Sequence, residues 1–131
     1  MKKAARGIAA LVKRIDLILT SPLIRAHDTA RIASRALRAE KKLEVCKALM
    51  PGGSVKTLLS SLSKYSGRKS IMVVGHEPDL GRFASSLLGS ETSIIELKKG
   101  ALCAIEVSGL PPHAKGKLLW HMQPRHLRAL G

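Results

Sequence analysis

Aromatic side chains are nearly missing from this chain: Tyr65, Phe83 and Trp120 are the only three in 131 residues. So few rings leave no platform on which successive bases of a single strand could stack. Cysteine is almost as scarce. Cys46 and Cys103 cannot build a disulfide framework or a four-cysteine zinc site. Neither lies beside a paired-histidine motif, so no metal or other cofactor is expected and both read as core thiols in a reducing, cytoplasmic setting. No apolar run approaches the roughly 18 residues a membrane helix needs. The opening Met1-Lys2-Lys3-Ala4-Ala5-Arg6-Gly7 has no convincing cleavage site, so neither a secretory leader nor a membrane partner is expected.

Acidic residues are the other shortage. Nine Asp and Glu face 23 Lys and Arg, a net charge of +14. Residues 1–42 hold eleven basic and three acidic groups. Such a field attracts phosphate esters, phosphoproteins, nucleic acid or acidic lipid without choosing among them.

What is present reads as one unit, because no repeat, linker or low-complexity tract divides residues 1–131. Residues 3–15 place Ala4, Ala5, Ile8, Leu11, Val12 and Ile15 at helical spacing. No Ser, Thr, Asp or Asn stands in front to cap that helix, so the chain starts as if already inside an element. Asp16 to Thr20 reads as a short buried strand. Ser21-Pro22 then opens a helix with Leu23, Ala26, Ala30, Ala33 and Leu37 on its apolar stripe. Arg31, Arg35, Arg38 and Lys42 form a separate basic stripe. A short extended piece follows at Leu43–Cys46, then a turn at Pro51-Gly52-Gly53 and a helix over Val55–Tyr65 capped by Ser54.

Ser70-Ile71-Met72-Val73-Val74 is too short for a helix and suits a central strand covered on both faces. A helix from about Pro78 to Leu88 stops at Gly89. Ala101–Val107 and Lys117–Met122 form a hairpin at one sheet edge, and the last residues form a helical turn. Alternating strands and helices predict an α/β/α sandwich with crossover units.

In an open α/β sheet, ligands bind beyond the carboxyl ends of the strands. Two such junctions carry chemistry. In Thr20-Ser21-Pro22-Leu23-Ile24-Arg25-Ala26, Arg25 falls in the first helical turn, where free N–H groups already favour an anion. Its planar fork can hold two phosphate oxygens. Helical geometry sets Arg25 roughly 120° from the basic stripe, so it flanks the apolar face. In Val74-Gly75-His76-Glu77-Pro78, the glycine permits close backbone approach and His76 leaves the sheet at its carboxyl edge. Taken singly, each is as readily a structural or surface residue. Together a guanidinium and an imidazolium can neutralise a phosphoryl group.

These two segments, with Thr29-Ala30, Leu49-Met50-Pro51-Gly52-Gly53 and the tail from Lys98-Lys99-Gly100-Ala101 to Leu119-Trp120, resemble the histidine phosphatase superfamily. The branch is the small SixA-type phosphohistidine phosphatases, and the resemblance covers essentially the whole chain. It implies a three-layer phosphoglycerate mutase-like fold, in which a neutral histidine attacks phosphorus and water then releases phosphate. It implies that Arg25 clamps the phosphoryl oxygens, that His76 donates to one of them, and that Ser21 and Glu77 complete the phosphate-binding set. For Glu77 the plainer reading is a loop carboxylate that caps the next helix. The expected substrate is a phosphohistidine-bearing protein; small phosphate esters are the alternative within that chemistry.

The nucleophile in this superfamily belongs to an Arg-His-Gly triplet ending the first strand, and these 131 residues contain none. The first central strand is therefore expected to be missing, from beside the strands that end at Thr20 and Val74. Those two strands would close up or leave an unfilled slot, with a poorly stable domain as the consequence. His27 reads as a surface residue, and His113, His121 and His126 are placed by no motif. A non-catalytic anion-binding remnant is the second reading. Nucleic-acid binding by the basic first third is the third, with no reading module or stacking platform to support it.

Overall fold

The computed structural model describes residues 2–110 and 112–131. Its elements follow the order α1 (Lys2–Leu11), β1 (Leu17–Thr20), α2 (Ile24–Ala36), β2 (Leu43–Val45), α3 (Val55–Leu62), β3 (Ile71–Val74), α4 (Asp79–Leu87), β4 (Leu102–Glu106), β5 (Lys117–Met122) and α5 (Pro124–Leu130).

The β1 strand is the spine, because its residues are apolar on both faces of the pleat. Ile18 enters a core with Ala4 and Ile8 of α1, Ala30 and Ala33 of α2, and Leu127 of α5. Leu17 and Leu19 enter the opposite core with Leu49, Leu58, Leu62 and Phe83. Alternate side chains of one strand thus feed two layers, which makes the three-layer α/β/α arrangement. Each fully buried Leu or Ile contributes about 1.5–3 kcal/mol.

β1 pairs in parallel with β2 (Ile18 opposite Leu43) and with β3 (Leu17 opposite Ile71 through Thr20 opposite Val74). The strands ending at Thr20 and Val74 are therefore direct neighbours, with no position for a strand between them. Of the two expected outcomes, an unfilled slot or strands in direct contact, the pairing is the second. Among the described residues β3 pairs only with β1 and β4 only with β5, so the hairpin forms its own two-stranded sheet instead of extending the parallel one. Val74 at the end of β3 and Leu102 at the start of β4 border the same core cluster. The open side shows in burial: β1 is wholly enclosed, whereas Ile71, Val73 and Val74 are only half-buried.

Boundaries moved for local reasons. α1 stops at Leu11 instead of Ile15, and α2 starts at Ile24, leaving Pro22 and Leu23 outside it. Leu23, expected on the buried stripe, is consequently exposed. At its other end α2 closes with Arg38 at φ 54° and the Ala39 amide donating to the Ser34 carbonyl, a left-handed C-terminal cap. Ser54 caps α3 as expected, its hydroxyl accepting from the Thr57 amide at 3.0 Å. The C-terminal turn is a seven-residue helix, α5, packed on α1. Among the described residues no helix is long and apolar enough to cross a membrane.

Candidate active site at the carboxyl edge of the sheet

β1 and β3 deliver their next residues side by side. The Ser21 amide donates to the Val74 carbonyl at 2.9 Å, so the parallel register runs one residue beyond the strands. That ties the Ser21 backbone to the segment that carries His76. Ser21 is fully buried. Its Oγ lies 2.8 Å from His76 Nε2 and accepts from the Leu23 amide at 3.2 Å. Those contacts hold the imidazole by one nitrogen. Nδ1 forms no hydrogen bond among the described residues and is the ring atom left for a ligand.

Glu77 turns back into the protein. Its Oε1 accepts from the Gly81 amide at 2.6 Å, inside the first turn of α4, and its Oε2 accepts from the Leu97 amide at 3.2 Å. This is the capping carboxylate of the plainer sequence reading, and it also fastens the 94–98 segment against α4. Arg25 is the second residue of α2 and is exposed. Its side chain makes no hydrogen bond or ion pair with the described residues. His27 is half-buried on the same helix, more enclosed than a surface residue.

His76 opens on a narrow cleft lined by Leu49, Met50, Ser54, Asp79, Leu80 and Phe83. The enclosed part is about 10 Å³, about room for one water. That space is too small to enclose a tetrahedral oxyanion.

One cleft residue escaped the sequence reading. Asp79 Oδ2 accepts from the Gly52 amide at 2.8 Å, pinning the Pro51-Gly52-Gly53 turn to the start of α4 across 27 residues. The loop around Met50, which has no carboxylate of its own, is thereby faced by one from another element. The Pro-Gly-Gly turn was read from the sequence, and an acidic residue in a first helical turn is the signal that could have marked Asp79. Only the fold joins them. Replacing Asp79 with alanine removes a bond worth about 0.5–1.5 kcal/mol, so amide exchange at Gly52 is expected to quicken several-fold. Asparagine, which keeps a carbonyl acceptor, is expected to restore most of the protection. Unchanged exchange at Gly52 in the alanine variant would show that the bond does not hold this turn.

Burial pushes the Cys103 thiol pKa up, with a smaller contribution from the negative charge of Glu77. Cys103 therefore stays protonated and weakly nucleophilic. Both cysteines are free and half-buried.

The fold is of the α/β class, with helices on both faces of a parallel sheet. No family profile matches the chain. It is similar to the phosphohistidine phosphatase SixA homolog of Haemophilus influenzae, 31% identical over 88 residues, which span 64% of this chain and 54% of that protein. It is similar to the phosphohistidine phosphatase SixA of Escherichia coli, 27% identical over 116 residues, 87% of this chain and 70% of the relative. The solved structure of the protein histidine phosphatase SixA complexed with tungstate superposes with a TM-score of 0.80 at 24% identity, covering 96% of this chain and 80% of the other. The chain is thus similar in sequence to SixA-type phosphohistidine phosphatases and shares their fold.

Proposed function

We propose that this chain is a phosphohistidine phosphatase domain whose described site holds the phosphoryl group. The observation that carries the reading is the buried Ser21–His76 hydrogen bond at 2.8 Å, formed where β1 and β3 end. It sets an oriented imidazole at the carboxyl edge, beside the loop that leads from Ser21 to Arg25 in the first turn of α2. Support for an oxyanion ligand comes from the SixA structure solved with tungstate, a tetrahedral oxyanion of phosphate's shape.

In this reading Arg25 clamps two phosphoryl oxygens and the His76 ring donates to a third. Ser21, being buried, acts through His76 and not on the ligand. Glu77 positions the backbone and carries no part of the anion. An attacking imidazole forms a P–N bond while the substrate's P–N bond breaks. The departing imidazole takes a proton from solvent, and water then releases phosphate from the second imidazole. Bonds of the same kind are exchanged, so the reaction makes little demand for a strong acid. The substrate is a phosphohistidine on a signalling protein. The +14 charge favours docking of an acidic, phosphorylated partner, and the two free thiols suit a cytoplasmic compartment.

The attacking histidine of the superfamily's Arg-His-Gly triplet is not among these residues. Turnover is accordingly tested in a version extended upstream with such a strand, and phosphoryl holding in the chain itself. In the extended version, Arg25→Ala and His76→Ala are each expected to lower phosphohistidine hydrolysis about 100-fold, the scale of losing one charge-stabilising donor. In the 131-residue chain the same changes are expected to weaken vanadate binding. Full activity in both variants would overturn the assignment.

The groups gathered at the described site, Ser21 and His76, also fit a second reading, a domain that binds phosphate without turning it over. A histidine labelled covalently by a phosphorylated substrate would exclude it.

A further inference from the structure

The opposite, amino edge of the sheet carries a second concentration of charge that the phosphatase reading does not use. Arg14, Lys42, Arg68 and Lys69 line an open hollow of about 360 Å³ together with Asp16 and Gly67. They come from three separate segments, the approaches to β1, β2 and β3. Asp16 precedes β1 and Ser21 follows it, so about 16 Å of extended chain separates this hollow from His76.

The single carboxylate is already occupied. Asp16 Oδ1 pairs with Arg14 Nε at 3.3 Å. Oδ2 accepts from the Lys69 and Ser70 amides at 2.9 and 3.2 Å. The Lys69 amide is the main cause that holds the Asp16 carboxyl below its usual range. Two of the cations are then fixed by main-chain carbonyls and not by acids. Lys42 Nζ donates to the Ile15 carbonyl at 3.1 Å, and Arg68 Nη1 donates to the Asp16 carbonyl at 3.4 Å. A carbonyl orients a cation without cancelling its charge. The hollow is thus rimmed by oriented positive groups that exceed its one negative charge by three.

We propose that this hollow is a second anion site, specific for a small multiply charged phosphate anion such as a polyphosphate chain. Several charges are needed to engage cations from three segments at once, and guanidinium forks match phosphate oxygens. No aromatic side chain lines the hollow, so a nucleobase gains nothing there by stacking, and the bare phosphate chain is the better fit.

The test is titration calorimetry of the full chain with inorganic tripolyphosphate at low salt. The Lys42→Ala/Arg68→Ala variant is expected to bind about tenfold or more weakly, the effect of about 1.4 kcal/mol. Lys69→Ala, whose ammonium makes no hydrogen bond with the described residues, is expected to weaken binding with no change in melting temperature. It keeps the test decisive if the double variant folds poorly. Arg31→Ala/Arg35→Ala removes the same charge from the solvated face of α2 and is expected to leave affinity unchanged. Equal losses in the α2 variant would reduce the effect to net charge and overturn the site. Losses confined to the Arg25 and His76 variants would assign the anion to the phosphatase cleft. Hexaglutamate binding as tightly as tripolyphosphate would overturn the phosphate class in favour of an acidic peptide.

Discussion

Valine at position 7 is expected to destroy the cooperative unfolding transition of the domain. Gly7 lies where α1 crosses α5, and a Cβ built there overlaps the Leu127 carbonyl oxygen and comes within 2.7 Å of its carbon. Both are backbone atoms, so neither can swing aside as a side chain would. Leu127 itself is fully buried among Ala4, Ile8, Ile18 and Met72. Moving α5 outward to make room would open that cluster, adding a cavity to the overlap. Overpacking alone costs about 1–3 kcal/mol, and separating the two helices adds the loss of each buried side chain. A domain holds only about 5–15 kcal/mol in total. Gly67→Ala is the control. Nothing lies within 4 Å of its Cβ position, so it is expected to be neutral. The measurement is a urea denaturation series, and a Gly7→Val midpoint equal to that of Gly67→Ala would refute the close-packing argument.

Gly7 also marks how far the sequence could be read. Helical spacing announced α1 and its apolar face, because periodicity reports which side of an element is buried. The partner of that face was not legible. Nothing local says that α1 meets the last helix of the chain, or that a glycine is required at their crossing. The same division holds at the site. The apolar strands before Ser21 and His76, the prolines that follow and the motif resemblance placed both residues at the carboxyl edge. The hydrogen bond between them spans 55 positions and depends on β1 and β3 being immediate neighbours. The sequence reading instead put a missing strand beside both, because strand order in a parallel sheet is set by crossover packing and not by local pattern. Leu23 was misplaced for a smaller reason. A Ser-Pro pair suggests a helix start at once, whereas here two more residues pass before the first helical turn closes. Gly52 was read within a turn and Asp79 was not singled out, because their pairing across the cleft depends on the fold.

The Ser21–His76 pair yields the sharpest functional expectation. If Ser21 serves only to aim the imidazole, its effect must pass through His76. Ser21→Ala removes the Oγ held 2.8 Å from Nε2 and leaves the ring free to rotate about its side-chain torsions. A lost hydrogen bond of this kind is worth about 0.5–1.5 kcal/mol, rising to about 1.5–3 when one partner is charged. Vanadate affinity is therefore expected to fall several-fold. In a His76→Ala background, Ser21→Ala is expected to change that affinity very little, giving a coupling energy close to the whole single-variant effect. Ser21 also accepts from the Leu23 amide, so a small stability loss should appear in both backgrounds alike and is separated by a parallel urea series. Additive effects on vanadate binding would mean that Ser21 reaches the anion by a route of its own. That result would remove the positioning role and require the buried hydroxyl to become accessible when the ligand binds.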